Sequence, residues 1–280
     1  MEQIKSINSL EKIKNKYILK QIFDNLRQII TLKLLKYNKN FQKKIYIKLI
    51  DYKKEYSKIV IDIIPAENIY GNFINIKNNE RYYHIYFNDD KDETKRNEII
   101  KEDKISKIKI IIDYKIKSLY KLFENCKCIK KINFIKFNRK DINNMSYMFY
   151  RCSSLEELNF FNFNTDKITT LKRMFYECSS LKELNLSNFN TNNVNNMGFM
   201  FYICSSLKEL NLTNFNTNNV TDMSWMFCGC SLLKELNLTN FNTNNVKNMR
   251  YMFGRCSNDL IRKIKSENKN IKDEAFYNSD

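Results

Sequence analysis

The chain has 280 residues, of which 43% are hydrophobic and 14% aromatic, a composition that excludes a wholly disordered chain. It carries 48 lysine and arginine residues against 31 aspartate and glutamate residues, a formal net charge of +17. Its apolar runs are short, as at residues 110–112, so we expect no membrane-spanning helix.

Residues 1–55 are predicted to be helical, because apolar side chains recur there at the three- and four-residue spacing of amphipathic helices. Six apolar positions within this segment share the spacing of a known motif: Ile18, Leu19, Ile22, Phe23, Leu26 and Leu35. On these positions, residues 16–45 resemble an F-box, which implies a substrate adaptor that docks on ubiquitin-ligase subunits. The alternative is a helical region that only caps the rest of the protein.

Residues 56–104 have a different pattern, typical of β-structure. Ile59 to Ile64 alternate as in a strand, Pro65 interrupts the run, and residues 82–87 form a second β-rich run. We therefore predict a small β-rich connector over this stretch.

From residue 105 the sequence repeats every 26 residues. The repeat is carried by aligned phenylalanine, methionine, leucine and cysteine columns, the last of which comprises Cys126, Cys152, Cys178, Cys204, Cys230 and Cys256. In the unit that begins at Leu181, the pair Leu184 and Leu186 predicts a short strand. Val194, Met197, Met200 and Phe201 suggest one face of a short helix.

No unit of this size can bury its own apolar face, so the units are predicted to stack on a shared core. We expect an α/β solenoid over residues 105–257, followed by a C-terminal cap and tail over 258–280. Its strands would lie near residues 107–111, 131–135, 157–161, 183–187, 209–213 and 235–239, in one parallel sheet.

The repeated pattern of Asn-Phe, Met-Phe, Cys and Leu resembles the leucine-rich repeats of the BspA-like family. The resemblance covers about residues 105–257 and implies a leucine-rich-repeat solenoid whose repeats bind partners and carry no catalytic residues. Many members of that family are bacterial surface proteins, so an adhesin-like role is one alternative.

Polar side chains should alternate with the buried leucines of each strand and form three columns on the open side of the sheet. We predict that these columns bind a protein or peptide partner. They comprise Lys131, Asn133, Glu157, Asn159, Phe161, Glu183, Asn185, Ser187, Glu209, Asn211, Thr213, Glu235, Asn237 and Thr239.

The sequence offers little for catalysis, since it holds one histidine and no recognisable nucleophile or phosphate-loop motif. We therefore expect neither enzymatic activity nor a cofactor. The cysteines should be buried, reduced packing residues and not metal ligands. The N-terminus resembles no secretory signal, so a cytoplasmic location is expected.

The leading hypothesis is a non-enzymatic protein-interaction module. The alternative hypothesis is that the protein binds nucleic acid or an anionic membrane surface through residues 1–50, which alone carry a net charge of +9. Burial of the apolar stripes in that segment would distinguish the two.

Overall fold

The computed structural model describes residues 39, 42–43, 49–76, 79–160 and 163–278. The chain divides into two compact units, Met1–Ser57 and Lys58–Asp280. In the first unit, residues 39, 42 and 43 are helical and helix α1 spans Leu49–Tyr56. The F-box-like positions Ile18, Leu19, Ile22, Phe23, Leu26 and Leu35 lie outside the described residues.

The second unit is built mainly from strands and turns. Its strands are β1 (Ile59–Pro65), β2 (Gly71–Asn72), β3 (Tyr83–Phe87), β4 (Glu98–Ile99), β5 (Ile108–Ile112), β6 (Ile129–Phe137), β7 (Glu157–Phe160), β8 (Glu209–Asn211) and β9 (Glu235–Asn237). Helix α2 spans Asn258–Glu267, and 3-10 helices span Glu80–Tyr82 and Asp273–Phe276. None of the helices in the described part of the chain has the length and apolarity that a bilayer crossing requires.

The central sheet has five strands in the order β3-β5-β1-β6-β7. Only the β6–β7 pair is parallel; the other three pairings are antiparallel. Alternate isoleucines of β1 and β5 are fully buried, and Ile61 lies opposite Ile110. Period-two burial of this kind places one face of each strand in the core.

The predicted single parallel sheet is wrong. β5, expected to be its first strand, pairs antiparallel with β1 and β3, and β1 separates it from β6. Farther along the chain, β8 and β9 form a separate parallel pair, and the described residues 183–187 hold no strand. The isoleucine-rich β1 has seven residues, whereas the repeat strands β7 and β8 have four and three. A longer strand offers β5 more backbone hydrogen bonds than a repeat strand would.

The predicted helices of the repeats are also absent; six turn segments stand in their place, at residues 119–125, 145–151, 171–177, 197–203, 223–229 and 249–255. In 171–177, the Met174 N–H closes a turn on the Leu171 carbonyl at 3.2 Å, whereas the Phe175 N–H donates to Met200 of the next unit at 2.9 Å. A helix would direct every N–H to the fourth preceding residue.

These two corrections overturn the α/β leucine-rich-repeat solenoid as the fold. The described structure is a mixed five-stranded sheet, two small two-stranded sheets and a series of hydrogen-bonded turns, with few helical residues. Alternate N–H groups of each turn pair with the neighbouring unit, which a helix with its internally satisfied backbone cannot do.

The buried columns of the repeat were predicted correctly. Phe149, Phe175, Phe201 and Phe227 are fully buried, and neighbouring rings stack at 5.6 Å between centroids. The methionines that precede them are equally buried. Each unit thus contributes one layer of apolar side chains to a continuous core.

The C-terminal residues cover the last unit and make the contacts with it that a further repeat would make. The Phe253 N–H donates to the Ala275 carbonyl at 2.8 Å, and the Phe253 ring stacks on Phe276 at 5.4 Å. The amphipathic helix α2 precedes Ala275 and Phe276, and its Leu260 and Ile264 are buried. The end of the column is therefore covered by both polar backbone and apolar surface.

Candidate functional site

The predicted binding columns are largely assembled by the strands that follow β5. In the β6–β7 pair Lys131 lies opposite Glu157, and Asn133 lies opposite Asn159. In the β8–β9 pair the same relation joins Glu209 to Glu235 and Asn211 to Asn237. We call the whole set the strand face: Lys131, Asn133, Glu157, Asn159, Glu183, Asn185, Ser187, Glu209, Asn211, Thr213, Glu235, Asn237 and Thr239. Phe161, the remaining predicted member, lies outside the described residues.

The asparagines of this face are oriented by the backbone that follows each strand segment. The side-chain oxygens of Asn185, Asn211 and Asn237 each accept a hydrogen bond, at 3.0 Å, from the backbone N–H two residues later. Such Asx turns end the strand and fix the rotamer of the asparagine. The oxygen of each amide is thus engaged within its own unit, and the amide NH₂ group is the one available to a ligand.

The strand face forms two shallow grooves, of about 940 Å³ and about 630 Å³. Glu183, Leu184 and Asn185 line both grooves, so the two adjoin at the unit that lacks a regular strand. Lys263 and Glu267 of α2 line the larger groove, and Lys263 pairs with Glu235 at 2.6 Å. The repeat pattern could not point to these two residues, because they lie on a helix that follows the last repeat.

Charge is distributed unevenly along the strand face. Glu157 pairs with Lys131, and Glu235 pairs with Lys263. At the rim of the smaller groove, Lys182 donates to Glu156 at 2.7 Å and lowers the pKa of that carboxyl. By contrast, Glu183 and Glu209 have no lysine or arginine nitrogen within 4.0 Å among the described residues. The middle of the face therefore carries negative charge that its own side chains do not balance.

Five cysteines of the column are buried, as the packing argument predicted, whereas Cys256 at its end is partly buried, and all six thiols are free. The Sγ of Cys178 lies 3.1 Å from the carbonyl oxygen of Phe149 in the preceding unit, and Cys204 bears the same relation to Phe175. Burial raises the pKa of both thiols well above the ordinary value. A buried thiol with a raised pKa is a poor nucleophile, so these residues serve packing.

We expect Cys178→Ser to lower the free energy of unfolding by about 1–2 kcal/mol, because the hydroxyl keeps an acceptor but loses the apolar contacts of sulfur. Cys256→Ser is the matched control, since Cys256 makes the same contact to Phe227 at 3.2 Å but is only partly buried. Urea unfolding of both variants measures the difference. An equal or larger loss in Cys256→Ser would contradict burial as the cause.

The histidine does not join the cysteines. The Nδ1 of His84 lies 3.0 Å from Glu93, and its Nε2 lies 3.7 Å from Asp113, on a partly exposed surface of β3. Within the part of the chain that the structure describes, no group of three or more histidine, cysteine, aspartate or glutamate side chains is arranged to hold a metal ion.

Comparison with known proteins gives one match. Two stretches, residues 117–213 and 204–279, match the family described as "Mycoplasma protein of unknown function, DUF285". No curated protein and no solved structure matches the chain significantly. The two stretches overlap, span more than half of the 280 residues and contain the 26-residue repeat. The chain therefore belongs to the DUF285 family.

Proposed function

We propose that this chain is a non-enzymatic protein-interaction module whose strand face binds a lysine- or arginine-bearing segment of another protein. The observation that supports this most is the pair of adjoining grooves along the strand face, whose Glu183 and Glu209 have no lysine or arginine partner among the described residues. An open polar groove suits a polypeptide better than a small molecule, which requires an enclosed, mostly apolar pocket.

The backbone supports such a role by holding the columns in fixed positions. In the loops that follow the strand segments, Thr191 and Thr217 are buried, and each donates its hydroxyl to a backbone carbonyl of the next unit at 2.9 Å. The acceptors are Asn216 and Asn242, and the same hydroxyls accept the backbone N–H groups of these two residues. When a partner binds the strand face, this chain therefore loses little conformational entropy of its own.

Cationic side chains are the complement that the face selects. Parallel strands lie about 4.8 Å apart, so Glu209 of β8 and Glu235 of β9, which lie opposite each other, are spaced at close to the 5.4 Å rise of one α-helical turn. A helix with lysine or arginine on successive turns can thus place two cations near these carboxylates. Charge complementarity of this kind favours association rate and specificity.

The direct test is fluorescence polarisation with a fluorescein-labelled decalysine peptide. We expect saturable binding by the native chain and at least a tenfold weaker affinity for the double variant Glu183→Lys/Glu209→Lys, because both unpaired carboxylates are replaced. The net charge of +17 repels this peptide from the chain as a whole, so binding reports a local acidic site.

The matched control is Glu67→Lys/Glu102→Lys, which changes the net charge equally at two exposed residues outside the strand face. This control should bind decalysine within about twofold of the native chain once ionic strength screens long-range repulsion. Both double variants should keep the native melting temperature, since exposed substitutions cost about 0.5 kcal/mol or less. Equal loss of affinity in the two variants would refute the strand face as the site.

We also infer a cytoplasmic location, because the free, buried thiols suit a reducing compartment. Thiol titration of the protein taken from its native cell and unfolded without reductant should then count all eight cysteines. A count of six or fewer would indicate disulfides and an oxidising compartment.

A further inference from the structure

The turn segments present a second surface, which the proposed function does not use. At 26-residue intervals they carry the partly exposed side chains of Tyr147, Arg173, Phe199, Trp225 and Tyr251. We call this column, together with the tyrosines three residues after its first members, Tyr150, Tyr176 and Tyr202, the turn face. It consists of aromatic rings and arginine, the residue types most enriched at binding hot spots.

The backbone of the turns presents these side chains in the same way in each unit. Arg173, Phe199 and Trp225 have φ angles of 54°, 58° and 58°, in the left-handed region that bulky side chains disfavour. A second column, four residues later, is left-handed too and includes Ile203 as well as Gly229. The left-handed conformation is therefore a property of the repeated turn, and the chemistry of the first column is what points to a ligand.

The rings of the turn face are stacked on one another. Trp225 lies between Phe199, at 5.7 Å, and Tyr251, at 4.4 Å between centroids, while Tyr176 stacks on Tyr202 at 4.6 Å. Rings that cover each other present their edges outward. This arrangement does not provide the free ring faces on which nucleic-acid bases stack.

Arg173 is the unpaired cation of this surface. Its Nη1 donates to the Tyr147 hydroxyl at 2.9 Å, and its guanidinium lies 4.6 Å from the Phe199 ring centroid. The Nε atom is buried without a hydrogen-bond acceptor. Arg151 and Arg250 pair with Glu177 and Glu274, but no carboxylate of the described residues lies within 4.0 Å of Arg173.

The turn segments as a whole are basic. Their acidic residues are Glu124 and Glu177, against the basic residues Lys121, Arg151, Lys172, Arg173, Arg250 and Arg255. We infer that the turn face binds an acidic polypeptide segment, one of whose carboxylates pairs with Arg173. A guanidinium supplies two parallel N–H donors to a carboxylate, and flanking aromatic rings exclude water from such a pair.

Trp225 makes this inference testable, because it is the one tryptophan of the chain and lies on the turn face. Titration with an unlabelled decaglutamate peptide should change its fluorescence saturably and protect it from acrylamide quenching. Arg173→Gln should weaken the affinity at least tenfold, and Arg173→Lys should fall between it and the native chain, because lysine retains the charge but not the paired donors.

The matched control is Arg262→Gln, which removes an exposed arginine from α2, away from the turn face, and should leave the titration unchanged. A native affinity in Arg173→Gln would overturn the inference. An unchanged Trp225 fluorescence on titration with decaglutamate would also overturn it. This holds equally if phosphatidylglycerol vesicles or oligothymidylate change the fluorescence while decaglutamate does not. The acrylamide measurement on the native chain decides the question even if Arg173→Gln does not fold.

Discussion

Raising the pH from 8 to 10.5 should destabilise this protein far more than an ordinary domain. Burial raises the pKa of five thiols well above the ordinary value of 9.0: Cys126, Cys152, Cys178, Cys204 and Cys230. In the unfolded chain these thiols ionise near their ordinary pKa, whereas in the folded chain they stay protonated. A raised folded-state pKa contributes stability that is present below pH 9 and is lost as the pH rises further.

The size of the effect follows from the number of thiols. Each contributes about 1.4 kcal/mol of lost stability per pH unit above its unfolded pKa. Five together approach the whole unfolding free energy of a typical domain, about 5–15 kcal/mol. Burial raises the pKa of Cys128 and Cys228 to about 11, and both add to the loss.

Urea unfolding at pH 8, 9, 10 and 10.5, followed by Trp225 fluorescence, measures this dependence. The double variant Cys178→Ala/Cys204→Ala should lose less stability than the native chain between pH 9 and 10, by about 2 kcal/mol, because two thiols that ionise only on unfolding have been removed. Its lower stability at pH 8 is a separate effect of the cavities. A decline as steep as that of the native chain would mean that the thiols are not its cause.

Phe201→Ala should lower the free energy of unfolding by about 3–5 kcal/mol, the loss typical of removing a buried ring. Phe201 is fully buried and stacks at 5.6 Å on Phe175 and on Phe227, so its removal leaves a cavity in the middle of the column. The rigid hydrogen-bonded turns on both sides limit how far the cavity can collapse.

The matched control for this variant is Leu232→Ala, since Leu232 is a large apolar residue that is 50% exposed. We expect it to cost about 0.5 kcal/mol or less. Chemical denaturation at pH 7 of both variants gives the comparison. A cost below about 1.5 kcal/mol for Phe201→Ala would show that the phenylalanine column repacks and is not a close-packed stack.

The strand face illustrates how far sequence reasoning reaches. Alternation with Leu210 and Leu236 is enough to place Glu209, Asn211, Glu235 and Asn237 on one side of the strands, because side chains of a strand point alternately to its two faces. The contribution of Lys263 could not be found in this way. Its contact with Glu235 depends on where α2 packs after the last repeat, and no local pattern encodes that position.

The prediction of helices in the repeats failed because a helix and a series of stacked turns can bury the same apolar positions. Val194, Met197, Met200 and Phe201 are all buried, as a helical face would be, but successive turns bury the same positions. The hydrophobic pattern predicts which side chains are buried, but it does not predict which carbonyl accepts a hydrogen bond from each backbone N–H. The Phe201 N–H pairs with Met226 of the next unit at 2.9 Å, a choice that exists only once the units are stacked.

By itself, the sequence determined the 26-residue period, the identity of the buried methionine, phenylalanine, leucine and cysteine columns, and the alternation that exposes the strand face. The tertiary structure decided the turns, the antiparallel insertion of β1 between β5 and β6, and the burial of Arg139, which donates to the Asp113 carbonyl at 3.3 Å and pairs with Asp141 at 2.7 Å. Hydrophobic burial follows from each residue's own chemistry and so can be read along the chain. Backbone hydrogen bonds depend on which segments meet in space, and between neighbouring turns of this protein they join residues 25 apart, as from Phe201 to Met226.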